Sequence, residues 1–215
     1  MDILKQTPEG IDKAARYIRE GKLVVWPSPV WYGLCTNALD EDAVRRVYAA
    51  KRRDPNEALL VLALDRDDAA RYGELNDLAS RLVEAFWPGF LGVIVKKNPE
   101  TVPDFVTAGK DTVLLASLDE LGYELPARAG VPVVSSSANI SGTEPAISLD
   151  EALTFAERAG AEIDAVIEGP LSPINRPTTI VDTTQSPPVI IRTGVVHERS
   201  VRVIAPDVVV QERVK

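Results

Sequence analysis

Cysteine and histidine are almost absent from this 215-residue sequence, which contains one of each, Cys35 and His197. A single cysteine cannot form an intrachain disulfide, and the pair cannot supply the clusters of cysteine and histidine that bind zinc. A nucleophile paired with a histidine could use only His197. We therefore expect neither a disulfide-stabilised fold nor a protein-held metal site of this kind.

Long apolar runs and an excess of basic residues are also lacking. No stretch approaches the roughly 18 apolar residues of a membrane helix, so we predict a cytoplasmic protein with no membrane partner. The chain carries 24 basic and 32 acidic residues, a formal net charge of −8. Nucleic-acid-binding domains usually carry a basic excess. An RNA contact is therefore not expected to use a broad basic face, and a phosphate site would be a local basic pocket.

The sequence does contain an alternation of helical and strand patterns. The spacing of apolar residues predicts helices over residues 8–19, 40–51, 75–86 and 148–159. Continuous apolar runs predict buried strands at 23–26, 59–64, 91–95, 112–115, 131–134, 165–167, 179–181 and 189–191. Unbroken apolar strands favour a sheet covered by helices on both faces. We predict a single α/β domain over residues 1–215 because no Gly- or Ser-rich linker divides it.

Polar and basic loops follow several of these strands, whereas the P-loop and Rossmann glycine motifs are missing. Lys51 and Arg53 alternate, so an extended segment would point both side chains to one face, as it would for Ser137 and Asn139. Arginine, lysine, hydroxyl and amide groups suit phosphate or carboxylate oxygens. The alternatives are that Lys51-Arg52-Arg53 only caps a helix and that the serine loop is only a turn.

Two stretches of the sequence are distinctive, Tyr32-Gly33-Leu34 and the S-S-A-N-I-S-G run at 136–142. They occur in a fixed order with P-S-P-V at 27–30, K-R-R at 51–53, W-P-G at 87–89, T-T-I-V-D at 178–182 and I-R-T-G at 191–194. The order of these motifs resembles the YrdC-like, threonylcarbamoyl-AMP synthase family. The resemblance covers residues from about 8 to 196 and leaves a C-terminal tail at 197–215.

This resemblance implies a fold, a reaction and a set of site residues. Family members form threonylcarbamoyl-AMP from L-threonine, bicarbonate and ATP with Mg²⁺, releasing pyrophosphate, for the modification of adenosine 37 in tRNA. The implied fold is a twisted mixed sheet curved around a basic cavity, with helices packed on it. The implied catalytic residues are Lys51, Arg53, Ser137 and Asn139. Nucleotide binding would use Ser137, Asn139, Thr178, Thr179 and Arg192, and substrate binding Ser28, Tyr32 and Arg53.

Among the departures from the family pattern, five concern the amino-acid pocket, and they make this chain a divergent member. They replace polar or charged residues expected near the amino acid, and they are Pro29, Val30, Leu62, Gly92 and Ala116. A site built for hydrogen bonds discriminates poorly once its partners are removed. We therefore expect L-threonine to bind weakly. Two alternatives stay open: a synthase that uses another acceptor, and a non-catalytic paralogue that binds a nucleotide or RNA.

Overall fold

Helices and strands alternate through the computed structural model, which describes residues 1–118, 121–160 and 163–211. The helices in these residues are α1 (Pro8–Arg19), α2 (Glu41–Lys51), α3 (Arg66–Tyr72), α4 (Asp77–Phe86), α5 (Asp104–Thr107), α6 (Leu121–Ala129), α7 (Leu149–Arg158) and α8 (Glu198–Ile204). The strands are β1 (Asp2–Leu4), β2 (Leu23–Trp26), β3 (Gly33–Asn37), β4 (Leu60–Leu62), β5 (Gly73–Glu74), β6 (Leu91–Lys97), β7 (Thr112–Ala116), β8 (Val133–Ser137), β9 (Ile163–Ile167), β10 (Thr179–Asp182), β11 (Val189–Arg192) and β12 (Val209–Val210).

The helices predicted from periodicity begin at polar capping residues. The side chain of Thr7 accepts from the Gly10 backbone N–H at the start of α1, and Ser148 caps α7 in the same way. Helix α1 has the predicted bounds, and α2 follows its cap Asp40. All four predicted helices are therefore confirmed to within two residues at either end.

One predicted strand is misplaced by two residues, and this affects the site. The run at 131–134 was expected to end before the serines, whereas β8 contains them. Ser135 pairs with Cys35 of β3 on one side and Leu60 of β4 on the other. Two neighbouring strands satisfy the serine backbone on both sides, and this outweighs the preference of serine for turns.

The strands form one mixed sheet. Its order in the described residues is β1-β9-β2-β3-β8-β4-β7-β6-β10-β11-β12, and β5 pairs with β6 outside this order. The pairs β2–β3, β3–β8 and β8–β4 are antiparallel. The pairs β4–β7, β6–β10 and β2–β9 are parallel. The mixed α/β single domain predicted from the sequence is confirmed.

Helices cover the two faces of the sheet unequally. One face packs against a large core that includes Val44 and Val47 of α2, Leu82 of α4 and Phe155 of α7. The other face is covered by α1 and α6 over only part of its width, through a smaller core that includes Trp26. Beside this smaller core the sheet surface borders a cavity, which contains the candidate site.

Residues 198–210 pack onto the domain. Strand β12 pairs in parallel with β11, and the Arg202 Nη1 donates to the Val208 carbonyl at 2.8 Å. The Val201 side chain is 0% exposed within the larger core, whereas Val203 on the same helix is 82% exposed. The segment between 197 and 211, expected as a tail, is thus a helix and an edge strand, and residues 212–215 lie outside the described residues.

Substitution of Val201 by alanine should destabilise the protein, because it leaves a gap between α8 and the large core. We expect the free energy of unfolding to fall by about 1–3 kcal/mol. Val203→Ala, two residues away and exposed, should change it by less than about 0.5 kcal/mol. Urea unfolding followed by circular dichroism measures both, and equal values would show that α8 does not depend on the core.

Candidate functional site

A cavity of about 150 Å³ lies on the partly covered face of the sheet, and we call it the sheet cavity. Its apolar lining comes from Trp26, Val30, Trp31, Gly33, Ala58, Leu59, Leu60, Gly92, Leu114 and Leu118. Its polar lining comes from Ser28, Arg53, Ser135, Ser136, Ser137, Thr178 and Arg192. The cavity therefore combines a carbon-rich wall with hydroxyls and two guanidinium groups.

Strand ends of both polarities border the sheet cavity. Strands β2, β8 and β11 bring their carboxyl ends to it, at Trp26, Ser137 and Arg192. Because the sheet is mixed, β3 and β4 bring their amino ends, at Gly33 and Leu60. The polar ends expected after several strands thus border the cavity, together with the amino ends of two further strands.

Lys51 is buried beneath the site instead of lining the cavity. It is the last residue of α2 and 1% exposed, and the next residue, Arg52, has a left-handed backbone with φ of 49°. The alternation expected for Lys51 and Arg53 in an extended segment is thus wrong. The Lys51 Nζ donates to the Asn139 Oδ1 at 2.9 Å, to the Asn139 carbonyl at 3.0 Å and to the Ser137 carbonyl. All three ammonium hydrogens thus have acceptors in one turn.

The turn from Ser137 to Asn139 is closed by its own hydrogen bonds. The Ser137 Oγ donates to the Asn139 Oδ1 at 2.6 Å, and the Asn139 Nδ2 donates to the Thr143 carbonyl at 2.7 Å. The Ser141 backbone N–H donates to the Lys51 carbonyl at 2.7 Å. Lys51, Ser137 and Asn139 are therefore brought together as predicted, in one network that we call the lysine-pinned turn.

A second cavity of about 380 Å³ lies on the other side of the lysine-pinned turn, and we call it the turn cavity. Its lining consists of Ala138, Asn139, Ile140, Thr143, Glu144, Pro145, Ala146, Ile147, Glu151, Thr154, Phe155, Arg158 and Asn175. Asn139 belongs to this lining, whereas Ser137 and Arg53 line the sheet cavity. The predicted catalytic four are thus distributed over two adjoining cavities and the turn between them.

The two arginines of the sheet cavity are held by backbone and side-chain partners. The Arg53 Nη2 donates to the Ala58 carbonyl at 3.1 Å and lies 3.2 Å from a Glu57 carboxylate oxygen. The Arg192 Nε donates to the Thr178 carbonyl at 2.9 Å, and its Nη2 donates to the Thr178 Oγ1 at 2.6 Å. Their positions are therefore fixed, and both present positive charge to the cavity lining.

The remaining predicted residues divide into those that line the sheet cavity and those that are buried behind it. Ser28 lines it, and the Ser28 Oγ donates to the Trp31 carbonyl at 2.6 Å. Tyr32 is buried, with its hydroxyl donating to the Gly169 carbonyl at 3.0 Å, and burial raises its pKa. Thr179 is also buried and donates to the Val196 carbonyl at 2.6 Å. Tyr32 and Thr179 therefore hold loops in place around the cavity.

The five departures from the family pattern do not all reach the cavity. Val30 and Gly92 line it. Leu62 and Ala116 are both 1% exposed and outside its lining, two residues along their strands from Leu60 and Leu114 respectively. Leu62 packs in the smaller core with residues of α6. Leu62 and Ala116 therefore do not line the cavity, so two of the arguments for weak L-threonine binding no longer rest on a direct contact.

Sequence reasoning missed several lining residues. Trp26, Leu60 and Leu114 were predicted only as strand residues, and the segment 143–147 of the turn cavity was not considered. One signal was present: Trp26 immediately precedes the Pro27-Ser28 motif. The strands place Leu60 beside Leu114 through parallel pairing, which a sequence without partner information does not reveal.

Comparison with known proteins assigns the family. The family model Sua5_yciO_yrdC, described as telomere recombination, matches residues 16–194. The chain belongs to the Sua5/YciO/YrdC family. It is 37% identical over 183 residues to a threonylcarbamoyl-AMP synthase of Pyrococcus abyssi, covering 84% of this chain and 53% of the relative. It is 36% identical over 180 residues to a putative threonylcarbamoyl-AMP synthase of Methanocaldococcus jannaschii, covering 83% of each.

The fold of a solved family structure is closely similar. The structure of P. abyssi Sua5 complexed with L-threonine superposes with a TM-score of 0.90 at 31% identity, covering 98% of this chain and 62% of that one. The present chain thus spans about half the length of the P. abyssi synthase and just over three fifths of the solved chain.

Two further features are absent from the described residues. In residues 1–118, 121–160 and 163–211 no helix is long and apolar enough to cross a membrane. Over the same residues no three side chains among His, Cys, Asp and Glu converge as metal ligands would.

Affinity for an anion at the lysine-pinned turn, with ATP as the probe, should fall as the pH rises through the pKa of Lys51. Burial, assisted by Arg53 and opposed by Glu57, lowers this pKa from 10.5 to about 7. At a pH above this pKa the Lys51 amine is neutral, so Nζ has two hydrogens for three acceptors and the turn loses a positive charge. Calorimetric titration with ATP should therefore show weaker binding at alkaline pH.

The Lys51→Arg variant keeps its positive charge over this pH range, so its affinity for ATP should not show this fall. The titration of ATP itself affects both proteins equally. Protein stability should change in the opposite direction. The unfolded state binds more protons between about 7 and 10.5, so the Lys51 contribution to the free energy of unfolding rises with pH in that window. An affinity change identical in wild type and variant would assign the pH effect to another group.

Proposed function

We propose that the chain is a threonylcarbamoyl-AMP synthase, which joins L-threonine, bicarbonate and ATP and releases pyrophosphate. The observation that carries this proposal is the lysine-pinned turn between two cavities, with Arg53 and Arg192 on the side of the smaller one. The names of the two relatives and the L-threonine complex of P. abyssi Sua5 support it.

The sizes and linings of the cavities favour one arrangement of the substrates. The turn cavity, of about 380 Å³, is the larger and suits the nucleoside, with the aromatic ring of Phe155 in its wall. The sheet cavity, of about 150 Å³, suits an amino acid. Asn175 lines the first cavity and Thr178 the second, so a single loop borders both. In this arrangement the phosphates lie at the turn, close to the arginines.

The reaction requires positioning and charge neutralisation more than proton transfer. The amino group of L-threonine combines with bicarbonate to give the N-carboxy amino acid and water. An oxygen of this carboxylate then attacks the α-phosphorus of ATP, and the bond to pyrophosphate breaks. Arg53 and Arg192 neutralise the phosphate and carboxylate oxygens, and the Ser137 hydroxyl, which donates to the Asn139 Oδ1, holds the turn in place beside them. Holding both reactants beside one rigid turn lowers the barrier further.

Magnesium would enter with the nucleotide. No cluster of metal-ligating side chains is found in the part of the chain that the structure describes, and Mg²⁺ bound to ATP takes most of its ligands from phosphates and water. The ion would supply further neutralisation of the triphosphate.

In this proposal the product serves the modification of adenosine 37 in tRNA, and such a role favours a cytoplasmic location. With a formal net charge of −8, a direct RNA contact would need a local patch.

Product formation is the direct test. The intact protein with ATP, Mg²⁺, bicarbonate and L-threonine should release pyrophosphate and form threonylcarbamoyl-AMP, detected by mass spectrometry. Omission of bicarbonate is the matched control and should abolish the product. Activity with another amino acid only would indicate a different acceptor. Nucleotide binding without any pyrophosphate release would identify the non-catalytic paralogue that Val30 and the apolar wall favour.

Replacement of Arg192 by alanine should weaken ATP binding. A guanidinium group hydrogen-bonded to phosphate contributes about 1.5–3 kcal/mol, which corresponds to roughly a tenfold to hundredfold increase in Kd. Arg45→Ala removes an equal charge from the exposed face of α2, where Arg45 pairs with Glu41, and should leave the Kd nearly unchanged. Calorimetry in identical buffer measures both, and equal Kd values would exclude Arg192 from the phosphate site.

A further inference from the structure

The loop between β9 and β10, residues 168–178, borders both cavities, and we call it the crossing loop. Asn175 lines the turn cavity, and Thr178 lines the sheet cavity. The backbone of Asn175 is left-handed, with φ of 42°, a conformation that asparagine adopts more readily than most residues. A shift of the crossing loop would therefore move parts of both cavity walls together.

Ser172 is buried in the crossing loop between two exposed neighbours. It is 4% exposed, whereas Leu171 is 61% exposed and Pro173 is also exposed. The Ser172 Oγ donates to the Ser28 carbonyl at 2.7 Å, and the Ser172 backbone N–H donates to the Ile147 carbonyl at 2.7 Å. Both polar hydrogens of this residue thus have partners, as buried polar groups require.

These two hydrogen bonds join the walls of the two cavities. Ser28 lines the sheet cavity and Ile147 lines the turn cavity. Ser28 follows β2 and Ile147 precedes α7, so the two acceptors belong to distant parts of the chain. One residue of the crossing loop therefore binds a wall of each cavity.

The crossing loop has little conformational freedom with which to absorb a displacement. The Ile174 backbone N–H donates to the Pro29 carbonyl at 3.1 Å, and the Arg176 Nη2 donates to the Gly194 carbonyl at 3.1 Å. Proline fixes the φ angle, and three positions of the loop are proline: Pro170, Pro173 and Pro177. A displacement at Ser172 should therefore reach the loop residues that line the cavities.

We propose that Ser172 is a positioning residue, which keeps the amino acid of the sheet cavity and the nucleotide of the turn cavity at a fixed separation. This inference rests on the proposed function. Attack of the carboxylate oxygen on the α-phosphorus requires the reacting atoms to be held about 3–3.5 Å apart, so a small displacement of one wall slows it. Ser172 lines neither cavity and acts through Ser28 and Ile147.

The kinetic test removes the hydroxyl and keeps the backbone bond. In Ser172→Ala, kcat for adenylate formation should fall about threefold to tenfold, the scale of one neutral hydrogen bond, whereas the Kd of ATP alone should change by less than about twofold. Ser117→Ala is the matched control. Ser117 is 1% exposed, and its Oγ donates to the Leu64 carbonyl at 2.9 Å, outside both linings. Equal losses of kcat in the two variants would show that Ser172 only supports the fold.

A second variant tests the inference should Ser172→Ala prove unfolded by circular dichroism. Ser172→Cys keeps a side chain of similar size with a weaker hydrogen-bond donor, so its kcat should fall between those of the wild type and Ser172→Ala. A wild-type kcat in Ser172→Cys, together with wild-type coupling in the titration below, would overturn the inference.

Calorimetric titration separates this inference from the proposed reaction when the nucleotide is α,β-methylene-ATP, which cannot release pyrophosphate. In the wild type, L-threonine at saturating concentration should order the crossing loop, so the nucleotide analogue should bind about threefold to tenfold more tightly. The reverse titration must give the same factor. This coupling factor should fall close to one in Ser172→Ala and keep its wild-type value in Ser117→Ala.

Each outcome decides one proposal or both. Coupling that is lost in Ser172→Ala, in a protein that forms no adenylate from ATP, would support the link between the cavities and overturn the synthase. Adenylate formation with equal coupling in the wild type and Ser172→Ala, or with no coupling in the wild type, would overturn the inference and leave the synthase standing. A wild type that binds neither ligand would overturn both.

Discussion

The hydrogen bonds from the buried ammonium of Lys51 to the turn at Ser137–Asn139 are the interaction on which the site depends. A buried cation is tolerated only when its hydrogen-bonding capacity is filled, and here three oxygens fill it. These bonds fix the end of α2 against the end of β8. They also set the orientation of this turn, in which Ser137 lines the sheet cavity and Asn139 lines the turn cavity. The separation of the two cavities is therefore a consequence of one side chain.

The unequal covering of the sheet explains why the site lies where it does. A sheet with both faces fully covered would leave no room for a ligand, and in this protein α1 and α6 cover only part of one face. The uncovered part presents Leu60, Leu114 and Gly92, which are strand residues and therefore rigid. The polar groups of the lining come from the loops that hold Ser28, Arg53 and Thr178 and from the ends of β8 and β11, so they surround a rigid apolar surface.

Sequence patterns predicted the elements whose stability is local. Helix α1 was predicted with its bounds because its cap and its apolar face both lie within one segment. Strand β3, Gly33–Asn37, was missed because it pairs with β2 and β8 and has no long apolar run of its own. Lys51 contacts Ser137 and Asn139 as expected, but the extended alternation from which it was placed beside Arg53 is wrong. The left-handed turn at Arg52, a residue that rarely adopts positive φ, gave no signal in the sequence.

The effect of the departures from the family pattern depends more on where each residue lies than on how many residues are replaced. Leu62 packs in the smaller core with Leu118 and residues of α6, and Ala116 pairs with Leu62 in the sheet, so polar side chains at these buried positions would need partners of their own. Apolar residues there let α6 pack closely, and this packing holds the indole of Trp26 at the cavity wall. The replacements at Leu62 and Ala116 thus remove polar groups from buried strand positions, whereas the hydroxyls and guanidiniums that line the sheet cavity are retained. A side chain outside the lining acts on the cavity only through the residues that it holds in place, which is why position matters more than number.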